Sequence, residues 1–300
     1  MMAFLTRRVA LALSMVLTLA TVLMPLANGP RAAGGDDQEG GIGGTGIYFG
    51  PVTALGSIVV NGERIATPGG VIPGSVVPVA AGGRATPGDT VFVEAGYDNG
   101  SPVARRIVRF YPIVGPVSAA STGELRIMGT RVLLRGAVPI VTAGGQSADA
   151  VPAGAHVAVN GMWRNNTVIA TKIVILNDRR TASISGLTGR SDGRLVVGGT
   201  RVSNARVGAG AFVTVTGAAD ANGLRATSVR RGLQPYAPVD RSARLSATAF
   251  LAPDPDGRGY HLSGFGLPMD PRTTLRPRIG SREVFVGTLS KGAFLIEDRR

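Results

Sequence analysis

The chain has 300 residues, of which 44 are glycine, 19 are proline and 44% are apolar, so turn-forming residues are too frequent for long helices and apolar residues too frequent for a disordered chain. It contains no cysteine, which excludes disulfides, thiolate nucleophiles and thiolate metal sites. The 32 basic residues outnumber the 19 acidic ones for a formal net charge of +13, and all the basic residues except Lys172 and Lys291 are arginines.

The first 33 residues have the pattern of an export signal. Arg7 and Arg8 precede an uncharged apolar stretch over residues 9–27, and a helix-breaking triplet follows at residues 28–30. About 20 helical residues are enough to cross a bilayer, so residues 9–27 would also serve as an uncleaved inner-membrane anchor. We therefore expect an exported protein, periplasmic or secreted, in which residues 1–33 are either a cleaved signal peptide or an anchor.

Beyond the signal, the chain is predicted to consist of a linker and repeated units. Residues 34–46 are dense in glycine and carry acidic residues, which is typical of a linker without a core. Three later segments each contain a run of alternating apolar and polar residues that ends on a small residue. An alanine follows nine residues later and a branched apolar residue three residues after that, and such constant spacing indicates tandem repeats of one supersecondary unit. The copies are 90–95 with Ala104 and Ile107, 156–161 with Ala170 and Ile173, and 212–217 with Ala226 and Val229.

We place the three repeated units at residues 47–110, 111–180 and 181–233. Residues 234–300 differ because seven prolines interrupt them, and proline is excluded from central positions of a sheet. Two runs there, 283–287 and 293–296, are similar to the repeated strand pair with a shortened offset. We predict a degenerate fourth unit or a covering tail for residues 234–300.

The repeat pattern predicts strands that curl into barrels. Val157 and Val159 alternate with polar or small residues, which is the period of a half-buried strand. The three-residue step from Ala170 to Ile173 puts its two ends on opposite faces of a regular strand, so it requires a β-bulge or burial on both faces, and bulges are common in barrels. We therefore predict an all-β protein of tandem small barrels, five- or six-stranded and similar to oligonucleotide-binding barrels, after the N-terminal signal segment.

Each unit also contains a hairpin upstream of the repeated strand pair. In the first unit the turn is Asn61-Gly62, and this dipeptide favours a type I′ turn because both residues tolerate a positive φ. In all three units the turn of this hairpin ends on a glycine, and an arginine follows two residues later. We expect these arginines, Arg64, Arg131 and Arg201, to begin strands and to point into solvent.

Two segments at the start of the first unit resemble a known family. They are Ile42-Gly43-Gly44-Thr45-Gly46 and the run from Gly56 to Gly62, which reads Gly-Ser-Ile-Val-Val-Asn-Gly. Both are similar to the openings of bacterial exported proteins known as domain of unknown function 5666. The resemblance covers residues 41–232 and its motifs are specific in the first unit. It implies small β-barrels in the cell envelope, and the family carries no known catalytic residues.

The sequence contains few groups that carry chemistry. His156 and His261 lie in different units, and neither has a second ligand at metal-binding spacing. His156 occupies a polar position of its strand, so we expect an exposed imidazole. The pattern Gly-x-Ser-x-Gly occurs at residues 189–193, but no helix pattern follows it, so no nucleophile elbow supports hydrolysis. We expect no enzymatic activity, no metal and no cofactor.

The basic charge supplies the functional hypothesis. Residues 1–33 carry three arginines and no acid, so the rest of the chain keeps a net charge of +10. Trp163 is expected in a loop beside Arg164, where it would either stack on a ligand or cover a barrel mouth. The candidate ligand-binding residues are Arg105, Arg106, Arg109, Trp163, Arg164, Arg230 and Arg231.

We expect a cell-envelope binding module that contacts an anionic polysaccharide, lipopolysaccharide or lipid surface through these arginines. The alternative is a structural or protein-binding envelope protein whose arginines reflect biased coding. A nucleic-acid partner is not expected, because aromatic residues are not interleaved with the basic ones.

Overall fold

The computed structural model describes residues 45–54, 56–79, 83–178, 181–220, 223–239, 242–254, 257–276 and 278–300. The predicted all-β class is confirmed, since these ranges contain 23 strands and one short 3-10 helix at Pro68–Gly70. The predicted signal segment 1–33, its stretch 9–27 and nearly all of the linker 34–46 lie outside the described residues. In the described ranges, no helix has the length and apolar character needed to span a membrane.

The first group of strands forms a closed circuit. β1 lies between β2 and β5, β2 continues antiparallel into β3, and β5 pairs with β6. A parallel bridge between Ala66, just after β3, and Val103 of β6 completes the ring. This order is the five-stranded Greek key of oligonucleotide-binding barrels. The strands are β1 (Gly46–Ala54), β2 (Ile58–Val60), β3 (Glu63–Ile65), β4 (Gly74–Ser75), β5 (Thr90–Asp98) and β6 (Ser101–Arg109), with β4 added parallel to β6.

The next two groups repeat this order with complete strand pairing. In each ring the third strand pairs parallel with the fifth, and the fourth strand pairs antiparallel with the first. The second ring contains β7 (Ile113–Ser121), β8 (Glu124–Ile127), β9 (Thr130–Leu134), β11 (His156–Arg164) and β12 (Thr167–Leu176), with β10 (Ile140–Thr142) added parallel to β12. The third contains β13 (Ala182–Ser191), β14 (Arg194–Val197), β15 (Thr200–Ser203), β16 (Phe212–Asp220) and β17 (Gly223–Arg231). The predicted tandem small barrels are confirmed.

The last group follows the same order with shorter strands. β18 and β19 together take the place of one long first strand, and β19, β20 and β21 pair in sequence. A parallel bridge between Met269 and Phe294 joins the end of β21 to β23, and β22 pairs with both β23 and β18. The strands are β18 (Ala243–Ala249), β19 (Leu251–Pro253), β20 (Tyr260–Leu262), β21 (Leu267–Pro268), β22 (Glu283–Ser290) and β23 (Ala293–Arg299). The predicted limits of separate domains, at residues 47–110, 111–180, 181–233 and 234–300, stay predictions.

Of the two explanations for the three-residue step, a β-bulge or burial on both faces, the bulge is present, and it recurs at one place in every ring. Each fifth strand has one residue more than its partner between the two paired positions that flank the bulge. The extra residues are Arg105, Thr171, Thr227 and Glu297. In the last ring Gly287 faces Ile296, nine residues later, so the expected shortened offset is wrong. The spacing is the same, and isoleucine replaces the alanine of the other copies.

The small residue of the repeat is explained by this bulge. An added Cβ at Gly217 would lie 2.8 Å from the carbonyl carbon of Arg225 and still closer to its oxygen, and Gly161 and Gly287 face the same obstruction. The first ring has Ala95 at this position. In the other three rings the opposite backbone approaches this position too closely for a Cβ, so glycine is needed there.

The rings pack against one another around a shared aromatic cluster. The distances between aromatic side-chain centroids are 4.5 Å from Phe49 to Phe92, both of the first barrel, and 4.6 Å from Phe49 to Phe265 of the last barrel. Phe212 of the third ring and Tyr236 extend the same cluster. Two strand pairings add to this packing, because β1 runs parallel to β18 and β7 runs antiparallel to β13.

Candidate functional site

Three of the predicted arginines line one open groove of about 460 Å³ between the first and third rings. Arg105 and Arg106 come from β6, and Arg230 comes from β17. Consecutive residues of a regular strand point to opposite faces, but Arg105 is the extra residue of the bulge, and both β6 arginines are exposed. We call this site the arginine groove; its other lining residues include Pro235 and members of the segment 71–76.

The protein backbone positions Arg106 inside this groove. Its Nη2 donates a hydrogen bond of 2.6 Å to the carbonyl oxygen of Pro235, and its Nη1 donates a longer one of 3.4 Å to that of Tyr236. Tyr236 is itself fixed, because its hydroxyl lies 2.9 Å from Ser185 Oγ and 3.0 Å from Thr214 Oγ1. The guanidinium of Arg106 is therefore held at the junction of two rings before any ligand arrives.

Within the described part of the chain, no ion pair joins Arg105, Arg106 or Arg230 to a carboxylate. Arg105 extends across Gly96, where an added Cβ would lie 2.7 Å from its guanidinium carbon. Three cations thus line one concave surface, and the described residues that line it include no aspartate or glutamate. Such a surface attracts anions, and arginine binds phosphate or carboxylate through paired hydrogen bonds.

Arg109, predicted as a ligand-binding residue on the same strand, is buried instead. It is only 4% exposed, and its Nε lies 3.2 Å from Asp89 Oδ2. Its Nη2 donates to the carbonyl oxygens of Gly83 at 3.0 Å and Arg84 at 2.9 Å. The expectation of a surface arginine is wrong here because Arg109, the last residue of β6, turns inward to the buried Asp89.

The same acid joins the first ring to the second. Asp89 Oδ1 lies 2.9 Å from Nζ of Lys172, which is in β12. Thr171 Oγ1 donates to the carbonyl oxygen of Gly88 at 2.7 Å and lies 2.9 Å from Thr90 Oγ1. One buried carboxylate between two buried cations therefore holds the two barrels together. This cluster was not found from the sequence, because its members are separated by up to 83 residues.

Trp163 does not lie in a loop, so that prediction is wrong. It belongs to β11 and is only 3% exposed, and its Nε1 donates a hydrogen bond of 2.7 Å to the carbonyl oxygen of Ser185. Its indole fills the space left by Gly198 and Gly264. β11 continues three residues beyond the run 156–161, and this carries the indole into the contact between barrels, where it also lines a pocket with Asn165 and His261.

The two remaining candidates lie outside the arginine groove. The guanidinium carbon of Arg164 is 5.9 Å from the ring centroid of Phe250, a cation–π contact. Arg231 is exposed, and its Nη2 donates to the carbonyl oxygen of Arg206 at 2.8 Å. The seven predicted residues therefore divide into three that converge and four that do not.

Both histidines differ from expectation. His156 is 4% exposed, with Nε2 2.9 Å from the carbonyl oxygen of Thr181, so the predicted surface imidazole is wrong. β11 pairs with β7 on one side and with β12 on the other, and the imidazole contacts Thr181 in the segment that leads to the third ring. His261 Nδ1 lies 2.8 Å from Asp254 Oδ1 across the β19–β20 hairpin. In the described ranges, no cluster of three or more His, Asp or Glu side chains is placed to hold a metal ion.

Burial shifts the protonation of three tyrosines. It raises the pKa of Tyr236 above the ordinary value, although hydrogen bonds from Ser185 and Thr214 act in the opposite direction. Burial also raises the pKa of Tyr48 and of Tyr111. The hydroxyls of Tyr236 and Tyr48 are also hydrogen-bonded, that of Tyr236 to Ser185 and Thr214 and that of Tyr48 to Tyr97.

Comparison with known families concerns the second ring. Residues 114–174 match the family model described as Domain of unknown function (DUF5666). The predicted family resemblance is confirmed. The DUF5666 match covers β7 to β12, whereas the motifs that indicated the family lie in the first ring. No match was found among curated proteins or among solved structures.

Proposed function

We propose that the protein is a non-catalytic binding module of the cell envelope, and that the arginine groove holds anionic groups of a polymer or surface. The observation that supports this most is the convergence of Arg105, Arg106 and Arg230, from two barrels, without a carboxylate partner among the described residues. An exported location rests on the signal pattern of residues 1–33.

Two electrostatic effects support anion binding at this groove. The net charge of the chain beyond residue 33 is +10, which raises the local concentration of polyanions and their rate of association. Arg106 is held by backbone carbonyls, so less side-chain entropy is lost when a ligand binds. The three guanidinium groups repel one another when the groove is empty, and an anion removes that repulsion.

Heparin chromatography of the full chain tests this proposal. We expect the double substitution Arg105→Gln with Arg230→Gln to lower the salt concentration needed for elution, because two groove contacts are lost. The matched control is Arg194→Gln with Arg225→Gln, which removes two exposed arginines of the third ring outside the groove. Both pairs change the net charge by the same amount, so the comparison separates a site from overall basicity.

An equal shift for the two pairs would overturn the proposal. Retention would then follow total charge, as expected if biased coding supplies the arginines and the protein has a structural or protein-binding role. Retention that does not fall with rising salt would also contradict binding through charges.

A further inference from the structure

The arginine groove has an apolar side as well as a cationic one. Ile72 is 66% exposed, the highest exposure of any large apolar side chain in the described ranges. Val71 and Val76 are partly buried and line the groove beside it, and Ile107 and Val108 lie beneath. This arrangement places aliphatic surface directly beside three guanidinium groups.

The segment that carries these apolar residues is held in position by the sheet. β4 pairs parallel with β6, so Gly74 faces Val108 and Ser75 faces Arg109. Ser75 Oγ also donates a hydrogen bond of 2.7 Å to the carbonyl oxygen of Val77. The segment therefore forms a fixed wall of the groove along the strand from which Arg105 and Arg106 project.

A purely hydrophilic anion would leave this aliphatic wall in water. A ligand with an acyl chain would cover it, and the free energy gained rises with the apolar area removed from water. The aliphatic stems of the arginines extend the apolar surface, while their charged ends bind the headgroup. The chemistry that matches both sides of the groove is a phosphate joined to an alkyl chain.

We infer that the arginine groove binds an anionic phospholipid, with the phosphate at Arg105, Arg106 and Arg230 and an acyl chain against Ile72, Val71 and Val76. This inference rests on the proposed function and specifies its ligand. Among anionic partners of the envelope, it selects a lipid over a polysaccharide.

Calorimetry of the full chain with soluble short-chain probes tests the inference. Monomeric dihexanoylphosphatidylglycerol is expected to bind about tenfold or more tightly than glycerol phosphate, which shares the anionic group but has no chains; tenfold corresponds to about 1.4 kcal/mol. It is also expected to bind more tightly than dihexanoylphosphatidylcholine, which shares the chains but carries no net charge.

Substitutions assign this preference to the groove. Ile72→Ser is expected to weaken binding of the lipid several-fold and to leave glycerol phosphate unchanged. Arg230→Gln is expected to weaken both anionic probes. The matched control is Ile279→Ser, because Ile279 is 60% exposed and lies outside the groove. Both isoleucines are at the surface, so neither substitution threatens the fold.

The outcomes separate this inference from the proposed function. Equal affinity for the lipid and glycerol phosphate would overturn the lipid assignment, as would an unchanged affinity ratio in Ile72→Ser. The anion site would survive either result if Arg230→Gln still weakened binding. Both proposals would be overturned if Arg230→Gln left the affinity for both anionic probes unchanged and the two double variants were retained equally on heparin.

Discussion

Gly217→Ala is expected to destabilise the third ring strongly. The added Cβ would lie 2.8 Å from the carbonyl carbon of Arg225 and 3.1 Å from Cα of Ala226, whereas carbon atoms in contact ordinarily sit about 3.5–4.0 Å apart. β16 and β17 would have to separate by roughly 1 Å at the bulge. The obstructing atoms belong to the backbone, so no side-chain rotation relieves the clash.

Gly217→Ala is expected to lower the free energy of unfolding by about 2–4 kcal/mol. Forcing a methyl group into filled space costs about 1–3 kcal/mol, and each ladder hydrogen bond weakened beside the bulge contributes about 1 kcal/mol. With a urea dependence of about 2 kcal/mol per molar, in the middle of the range for small proteins, the unfolding midpoint should fall by roughly 1–2 M.

Urea unfolding followed by tryptophan fluorescence measures this effect. Trp163 is the single tryptophan of the chain, and its Nε1 is bonded to Ser185 of β13, so its emission reports on the contact with the third ring. The matched control is Gly189→Ala in the same ring, where the new Cβ would lie 3.5 Å from Val196 Cγ2, an ordinary contact. Equal midpoints for the two variants would refute the explanation of the repeated glycine.

Two other predictions concern buried polar groups. Asp89→Asn should lower the free energy of unfolding by about 3–5 kcal/mol, because it leaves the buried Arg109 and Lys172 without their counter-charge. The exposed Asp192→Asn should change the urea midpoint little, and similar midpoints for the two variants would contradict the role of Asp89 in joining the first two rings. Burial raises the pKa of Tyr236, so the stability it contributes is complete below about pH 10 and falls above it by about 1.4 kcal/mol per pH unit. Tyr236→Phe should flatten the decline of the urea midpoint above about pH 10, and an unchanged slope would contradict the assigned shift.

Local spacing in the sequence determined the repeated architecture. The alternation of apolar residues indicated the strands, and the three-residue step after each alanine indicated either a bulge or burial on both faces, since both inferences follow from the two-residue period of a strand. The Asn61-Gly62 turn has φ values of 58° and 81°, as the predicted type I′ hairpin requires. Arg64, Arg131 and Arg201 are exposed, as expected.

The last ring shows the limit of reasoning from spacing alone. Gly287 and its partner Ile296 are nine residues apart, as are the paired positions of the other copies. The sequence pattern did not reveal this spacing, because the other copies have alanine where the last ring has Ile296. A small residue is required only on the strand opposite the bulge, where Gly287 meets the backbone of Leu295. The partner position accepts a larger side chain because it faces the core.

Only the tertiary structure decided which side chains meet. Arg105 and Arg230 belong to different barrels and share a groove because the first and third rings pack together. Arg109 is on the same strand as Arg105 yet turns inward to Asp89, and Trp163 is covered by a neighbouring ring. Strand period and turn chemistry act over a few residues and can be read in order along the chain. Contacts between barrels depend on shapes and charges distant in sequence, which no local pattern encodes.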